Sequence, residues 1–227
     1  MNIPDLHPWD LDYESARKLQ IRLQERLCLI PLDRDIKYVC GCDVSSPWRG
    51  KDFWAAAVVL NYPAMEIVEV AAAHHYTVFP YIPGLLSFRE MPALLKAFRK
   101  LQTIPDLIFV DGTGILHPRK LGLAAHLGLW LDLPAIGCAK NLLCGQHQPI
   151  ATAKGSSQPV TLDGEIVGAA VRTRTAVKPM FISPGNLVTL EDSIAFTLEA
   201  CPRYRIPEPV RAAHKAANSA RIEAVSS

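Results

Sequence analysis

The segment Y-V-C-G-C-D-V, residues 38–44, decides the fold class of this 227-residue chain. It is short and almost continuously apolar, which is typical of a strand that is buried on both faces of a sheet. Two further apolar runs follow, at Trp54–Tyr62 and Ile67–Val78. Because the links between the runs, Pro47–Asp52 and Tyr62–Ala64, are short and turn-like, the three strands are predicted to form an antiparallel meander.

A second group of elements follows the meander. A helix from about Ser87 to Leu101 precedes a strand at Leu107–Val110, and a helix at Leu121–Leu131 precedes a buried strand at Ala135–Ala139. Strands that alternate with helices are typical of parallel pairing. The sequence therefore predicts an α/β fold of the ribonuclease H-like plan, in which helices flank a mixed sheet of three antiparallel strands followed by parallel strands.

The rest of the chain is predicted to contain three helices and one hairpin-rich segment. An amphipathic helix covers about residues 10–29 and is ended by Pro31. Residues 145–185 are predicted to be a hairpin-rich excursion, with breaks at 155–157 and 163–164. Helices are expected at 191–200 and 209–220. The simplest organisation is one domain over residues 1–227, with its core at about 36–141 and the hairpin-rich segment and C-terminal helices at about 142–220.

Composition limits the classes of function. The chain is 49% hydrophobic with a net charge of only +2, so a surface for nucleic acid must be local. The six cysteines form no C-x-x-C pair, which argues against structural zinc and favours buried thiols in a reducing cytoplasm. The longest apolar run, around Phe53–Leu60, is far shorter than the ~20 residues of a membrane span. A soluble, cytoplasmic monomer without a secretory signal or a membrane partner is expected.

Three carboxylates are candidates for the chemistry. Asp43 follows the stretch V-C-G-C, Asp111 ends the stretch L-I-F-V, and Glu90 lies near the start of a predicted helix. Singly, each has an ordinary explanation. Asp43 can cap a turn at a strand end, Asp111 can belong to an Asp-Gly turn, and Glu90 suits the dipole of its helix.

Together, the three carboxylates predict a metal site. Strand ends meet at one edge of an α/β sheet, so two aspartates and one helix-borne glutamate can converge there. Such oxygen ligands suit Mg²⁺, with Mn²⁺ as a substitute, better than they suit zinc. An ion of this kind activates a water and stabilises the leaving oxygen of a phosphodiester.

Four basic or histidine side chains are further candidates. His117 can orient a water or contact phosphate, Arg119 can bind phosphate at a helix start, and Lys140 can stabilise a developing oxyanion. Each of these three is also explained as a solvated surface group. His214, within R-A-A-H-K, can equally be an exposed helix residue. A metal role for the pair His74-His75 is not favoured.

The segment Pro80-Tyr81-Ile82-Pro83-Gly84 is a rigid loop by composition. Its two prolines fix φ, so Tyr81 and Ile82 would be held outward as a hard wedge. Wedges separate stacked bases, and a base must be separated before it can be extracted for inspection. The alternative on composition alone is a rigid turn with a buried tyrosine.

These motifs, in this order, resemble the endonuclease V family of deoxyinosine 3′ endonucleases. They span about residues 38–214, and the block at 79–90 is the most specific. The matching segments are G-C-D-V at 41–44, F-P-Y-I-P-G-L-L-S-F-R-E at 79–90, D-L-I-F-V-D-G-T-G at 106–114, H-P-R-K-L-G at 117–122, G-C-A-K at 137–140, D-S at 192–193 and R-I-P-E-P-V-R at 205–211.

The resemblance implies a role for each candidate residue. Asp43 and Asp111 would bind Mg²⁺ with Glu90 assisting. The remaining catalytic positions would be Lys140, His117 and His214. The residues expected to contact DNA or the lesion are Pro80, Tyr81, Ile82, Pro83, Gly84, Gly112 and Arg119.

The resemblance also implies an activity. A metal-activated water would attack in line at the second phosphodiester bond 3′ to deoxyinosine, leaving 3′-hydroxyl and 5′-phosphate ends. The expected partner is DNA that contains deoxyinosine or another deaminated base. Inosine-containing RNA is the alternative substrate, and a non-catalytic nucleic-acid-binding module is a third hypothesis, which the presence of all three carboxylates disfavours.

The chain departs from the family pattern at three positions. Thr113 stands where asparagine or histidine is expected, while Cys42 and Cys138 replace small aliphatic residues. The cysteines are core substitutions of similar volume and should not alter the chemistry. Thr113 lies closer to the site and puts contacts in the lesion pocket in doubt.

Overall fold

The computed structural model of the chain describes residues 1–47 and 50–226. Within these residues, five helices and eight strands are formed. The helices are α1 (Tyr13–Gln24), α2 (Leu86–Lys100), α3 (Leu123–Leu131), α4 (Leu190–Glu199) and α5 (Glu208–Ser226). The strands are β1 (Tyr38–Ser45), β2 (Asp52–Asn61), β3 (Ile67–Tyr76), β4 (Leu107–Val110), β5 (Ala135–Ala139), β6 (Ser157–Leu162), β7 (Glu165–Val171) and β8 (Met180–Asn186).

All eight strands belong to one mixed sheet in the order β3-β2-β1-β4-β5-β8-β7-β6. The meander β1-β2-β3 is antiparallel, while β4 pairs parallel with β1 and β5 pairs parallel with β4. The predicted α/β, ribonuclease H-like fold is confirmed. The predicted link Pro47–Asp52 includes Trp48 and Arg49, which lie outside the described residues.

The segment at 145–185 was predicted wrongly as an excursion. Its strands continue the main sheet, because β8 pairs antiparallel with β5 and β7 pairs antiparallel with β8. The turn between β6 and β7 is the predicted break at Asp163-Gly164, where φ is 51° and 84°. Two consecutive positive φ values are typical of the tight hairpin turns that Asp-Gly favours.

Helix α1 is shorter than predicted at both ends. Asp12 caps its start, where the side chain accepts a 2.7 Å hydrogen bond from the amide of Ser15. The helix ends in a 3₁₀-type turn, in which the amide of Arg26 donates to the carbonyl of Leu23, three residues earlier. Pro31 therefore lies well beyond the end of the helix. The capping side chain and the tightened last turn therefore set the helix ends. The helix predicted from the apolar periodicity extended beyond both of these ends.

The two faces of the sheet are covered by different helices. Helices α2 and α3 pack on one face, and α5 packs on the other face over β1 and β2. Gly41 of β1 lets α5 come close, because a Cβ atom there would lie 1.8 Å from the carbonyl oxygen of Pro209. Any larger residue at position 41 would push α5, and every side chain that it carries, away from β1.

A hydrogen-bonded histidine pair lies between α2, α3 and the N-terminal segment. His126 is fully buried, its Nε2 lies 2.8 Å from Nε2 of His7, and its Nδ1 lies 3.0 Å from Oγ of Ser87. Burial lowers the pKa of His126 from 6.5 to about 3. Both rings are therefore neutral in the folded chain near neutral pH.

This pair predicts a loss of stability in mild acid. Because the unfolded chain binds a proton at His126 that the folded chain excludes, stability present above pH 6.5 is lost as the pH falls towards 3. By pH 4, His126 alone should lower the free energy of unfolding by about 3 kcal/mol. Urea unfolding of the wild type and of His126→Leu between pH 4 and 8 tests this, with the half-buried His147 replaced in His147→Gln as a control. The same pH slope in His126→Leu as in the wild type would contradict it.

The cysteines agree in part with the expectation of buried thiols. Cys40, Cys42, Cys138 and Cys201 are buried, whereas Cys28 is exposed and Cys144 is half-buried, and all six are free thiols. Among the described helices, none has both the length and the apolar character needed to cross a bilayer.

Candidate metal centre and adjoining pocket

Asp43 and Asp111 are brought together by the parallel pairing of β1 with β4. The register pairs Cys42 with Val110, the last residue of β4, so the two aspartates are the next residues along each segment. One carboxylate oxygen from each aspartate and a ring nitrogen of His214 all lie within 4.8 Å of one another. The sheet thus supplies two carboxylates, and α5 supplies an imidazole from the face that it covers.

Ionisation of Asp43 is disfavoured at this edge. The side chain of Asp43 is only 13% exposed. Burial raises its pKa above 3.8, and the negative charge of Asp111 raises it further. Hydrogen bonds from His214 and from the amide of Val44 oppose this rise. A positive charge placed between the two aspartates would relieve it.

His214 is oriented by a directed chain of hydrogen bonds. Arg221 Nε donates to Ser45 Oγ at 2.8 Å, and Ser45 Oγ donates to Asn218 Oδ1 at 2.7 Å. Asn218 Nδ2 then donates to His214 Nε2 at 3.0 Å. Because Nε2 accepts, the ring proton lies on Nδ1, which donates to Asp43 Oδ2 at 2.6 Å. This series of hydrogen bonds fixes the tautomer of His214 and the position of one carboxylate oxygen of Asp43.

Lys140 lies beside the second aspartate, as its position after β5 predicts. Its Nζ forms an ion pair with Oδ2 of Asp111. The carbonyl oxygen of Lys140 accepts a 2.6 Å hydrogen bond from Arg205, which also donates to the carbonyl of Pro179 at 2.8 Å. Arg205 therefore ties the end of β5 to the start of β8 and holds the backbone from which Lys140 extends.

Glu90 lies close to the two aspartates without joining their group. Among the described residues, the three-residue cluster that could hold a metal contains His214 in the place where Glu90 was predicted. Burial raises the pKa of Glu90 to about 8, and the charges of Asp43 and Asp111 contribute to the rise. Its direct role as a metal ligand stays a proposal.

The Pro80–Gly84 loop stands at the rim of a cavity next to Asp111. Phe79 is buried before the loop, whereas Tyr81 is 69% exposed, so the alternative of a buried tyrosine is wrong. The cavity has a volume of about 380 Å³. Its lining includes Tyr81, Ile82, Pro83, Gly84, Asp111, Gly112, Thr113 and Lys140. The position where the chain departs from the family pattern, Thr113, therefore faces this cavity.

His117 and Arg119 contact the same loop. His117 Nδ1 accepts a 3.1 Å hydrogen bond from the amide of Arg119, and His117 Nε2 lies 3.1 Å from the carbonyl oxygen of Gly84. Arg119 donates to that carbonyl at 2.7 Å and also to Oε1 of Gln20. Burial, aided by the charge of Arg119, lowers the pKa of His117 to about 4. Both ring nitrogens of His117 are thus engaged within the chain, and a contact with phosphate stays a proposal.

Sequence reasoning missed four residues that orient the site. Arg221, Ser45 and Asn218 form the hydrogen-bonded series that holds His214, and Gln20 contacts the loop that carries Tyr81. A signal existed only for Asn218, which follows His214 at the four-residue spacing of neighbours on a helix face. The pair His74-His75 belongs neither to the three-residue cluster nor to the cavity lining, and His74 forms a hydrogen bond with Asp52 at the surface.

Comparison with known proteins decides the family. A sequence model of the family described as Endonuclease V matches residues 21–215. The chain belongs to the endonuclease V family. It is 45% identical over 220 residues to Endonuclease V of Trichormus variabilis. The aligned residues cover 96% of this chain and 100% of that protein.

Solved structures of the family share the fold. The crystal structure of Endonuclease V from Streptomyces avermitilis aligns with a TM-score of 0.91 at 40% identity, over 98% of this chain and 98% of that chain. Endonuclease V of Ciona intestinalis aligns with a TM-score of 0.82 at 26% identity, over 94% of this chain and 99% of that chain. That structure is a complex with a 23mer DNA containing an inosine followed by a ribo-adenosine.

Proposed function

We propose that this nuclease hydrolyses DNA at the second phosphodiester bond 3′ to a deoxyinosine, leaving 3′-hydroxyl and 5′-phosphate ends. The observation that carries the proposal is the position of the Asp43–Asp111 pair at the edge of a cavity rimmed by the exposed Tyr81. The Ciona intestinalis relative, bound to inosine-containing DNA, supports the choice of substrate.

The residues present fit a divalent cation. The two aspartates supply hard oxygen donors, and Asp43, whose pKa is raised by burial and by the charge of Asp111, would be stabilised in its ionised form by a cation. We propose that Asp43 and Asp111 hold Mg²⁺ or Mn²⁺, with Glu90 completing the set, because both ring nitrogens of His214 are engaged in hydrogen bonds. Such an ion, when bound, activates water and neutralises charge on a phosphodiester.

The chain's own side chains have separate tasks in this scheme. Lys140, 36% exposed beside Asp111, presents a cation to the non-bridging oxygens of a phosphate held at the aspartates. His214 keeps Asp43 in one orientation through its Nδ1 proton. The neighbouring cavity receives the deaminated base, while Tyr81 takes its place in the stack.

The nature of the strand and the bond that is cut are tested together. Purified protein with Mg²⁺ is incubated with matched end-labelled DNA and RNA strands, each carrying a single inosine. The expected product is a DNA fragment that ends one nucleotide beyond the inosine with a 3′-hydroxyl. Faster cutting of the RNA strand would replace the DNA substrate with inosine-containing RNA, and cutting at another bond would overturn the assigned position.

Three further predictions complete the proposal. The chain is expected to act as a monomer, in the cytoplasm, and as a single domain over residues 1–227. The presence of six free thiols supports a reducing compartment.

A further inference from the structure

The carbonyl oxygen of Gly84 is a point of convergence for three hydrogen-bond donors. Arg119 donates at 2.7 Å, Gln20 Nε2 at 3.0 Å and His117 Nε2 at 3.1 Å. A carbonyl oxygen has two lone pairs, so this one is fully engaged. Gly84 has a φ of +79°, and a Cβ atom there would lie 2.6 Å from the Arg119 guanidinium. The end of the Pro80–Gly84 loop is therefore held in one conformation.

Gln20 is the member of this cluster that comes from the N-terminal helix. Its side chain is 1% exposed, on a face of α1 whose other buried residues are Ala16, Leu19 and Leu23. An amide on an otherwise apolar face is costly unless its polar atoms are paired. The polar atoms of Gln20 are paired, because its amide forms hydrogen bonds with three partners on two other segments of the chain.

The partners of Gln20 link the loop to the segment before α3. Nε2 donates to the carbonyl of Leu121 at 2.7 Å as well as to Gly84, and Oε1 accepts from Arg119. Leu121 and Gly84 both line the cavity beside Asp111. One buried side chain thus sets the spacing between two walls of the cavity.

His117 contributes to the same cluster as a neutral donor. Its Nδ1 accepts from the amide of Arg119, so the ring proton lies on Nε2 and points to Gly84. The cluster therefore contains one cation, one neutral imidazole and one amide around a single carbonyl.

We infer that Gln20 is a positioning residue for base recognition. Together with Arg119 and His117, it fixes the Pro80–Gly84 loop, and through it the orientation of Tyr81 and the width of the adjoining cavity. This inference rests on the proposed function. Gln20 lies just outside the residues matched by the family model, 21–215.

Two variants test the inference in the full-length protein. Gln20→Met removes all three hydrogen bonds at similar volume, and Gln20→Glu keeps the bond from Arg119 but sets a carboxylate against two carbonyl oxygens. The probes are a duplex with one deoxyinosine and the same duplex with deoxyadenosine, both with Mg²⁺. Single-turnover nicking gives the maximal rate and the half-saturating protein concentration, and hydrogen exchange reports on the amides of the loop.

Both variants should raise the half-saturating concentration on the inosine duplex about tenfold, as expected for the loss of hydrogen bonds that hold a binding loop. The maximal rate should change much less, because the aspartates are untouched, and loop amides should exchange faster. The control is Gln24→Met, since the Gln24 side chain, one turn further along α1, makes no hydrogen bond within the described residues. If Gln20→Met does not fold, Gln20→Glu carries the same comparison.

The outcomes separate the inference from the proposed function. A wild type that shows no preference for the inosine duplex would overturn the proposed function itself. If the wild type prefers inosine, folded Gln20 variants with unchanged half-saturation and unchanged exchange would overturn the inference. A lower melting temperature with unchanged half-saturation would mean that Gln20 only stabilises the fold, and would also overturn it.

Discussion

Replacement of Asp43 by asparagine should lower the rate of nicking at deoxyinosine by about a thousandfold, because a neutral amide cannot hold a divalent cation between the two strand ends. The structure predicts little loss of stability. Burial and the charge of Asp111 raise the pKa of Asp43, so the folded chain already disfavours its ionised form. The thermal midpoint without metal should therefore stay close to that of the wild type, and binding of the inosine duplex should survive.

Single-turnover nicking and gel-shift binding of the same duplex measure the two effects of Asp43→Asn. The matched control is Asp52→Asn, since Asp52 also accepts a 2.7 Å hydrogen bond from a histidine, His74, but belongs neither to the three-residue cluster nor to the cavity lining. The control should nick at the wild-type rate. If Asp43→Asn retained more than about a tenth of the wild-type activity, Asp43 would be excluded as a ligand of a catalytic divalent cation.

Replacement of Tyr81 by alanine should weaken selection of deoxyinosine by about tenfold to a hundredfold, the range expected when an aromatic ring no longer stacks on a base. Tyr81 is 69% exposed, so the protein should remain folded. The maximal rate at saturating protein should fall less than the apparent affinity, because the aspartates and Lys140 are not changed. Tyr81→Phe keeps the ring and should behave like the wild type.

The comparison for Tyr81→Ala uses competition between inosine-containing and unmodified duplexes. Tyr76→Ala is the matched control, because Tyr76 is 53% exposed on the edge strand β3 and lies outside the cavity lining. Equal discrimination by Tyr81→Ala and Tyr76→Ala would contradict a wedge at this loop.

Much of the fold was predictable because strand order follows from short links and apolar runs. β4 and β5 occur at the predicted residues, and their parallel pairing places Asp111 next to Asp43. The end of α1 was not predictable from periodicity, because a capping side chain and local turns set it. The pairing of β8 with β5 depends on contacts between distant segments, which local pattern does not encode.

The candidate site also contains residues that the sequence predicted and residues that only the tertiary structure reveals. Carboxylates and a lysine at strand ends were found because sheet topology gathers them at one edge. The sequence could not show that His214 rather than Glu90 shares the 4.8 Å cluster with the aspartates, because this depends on the close approach of α5 over Gly41. Nor could it show that Gln20 reaches Gly84 across 64 residues of chain.

Metal-dependent nicking at deoxyinosine is tested by the ratio of single-turnover nicking rates on two duplexes that differ only in deoxyinosine or deoxyadenosine at one position. The ratio is measured with Mg²⁺ and with a chelator. We expect nicking of the inosine duplex alone, and only with Mg²⁺, because the base must enter the cavity beside Tyr81 while a cation is held at Asp43 and Asp111. Equal rates on the two duplexes, or undiminished nicking in the chelator, would contradict it.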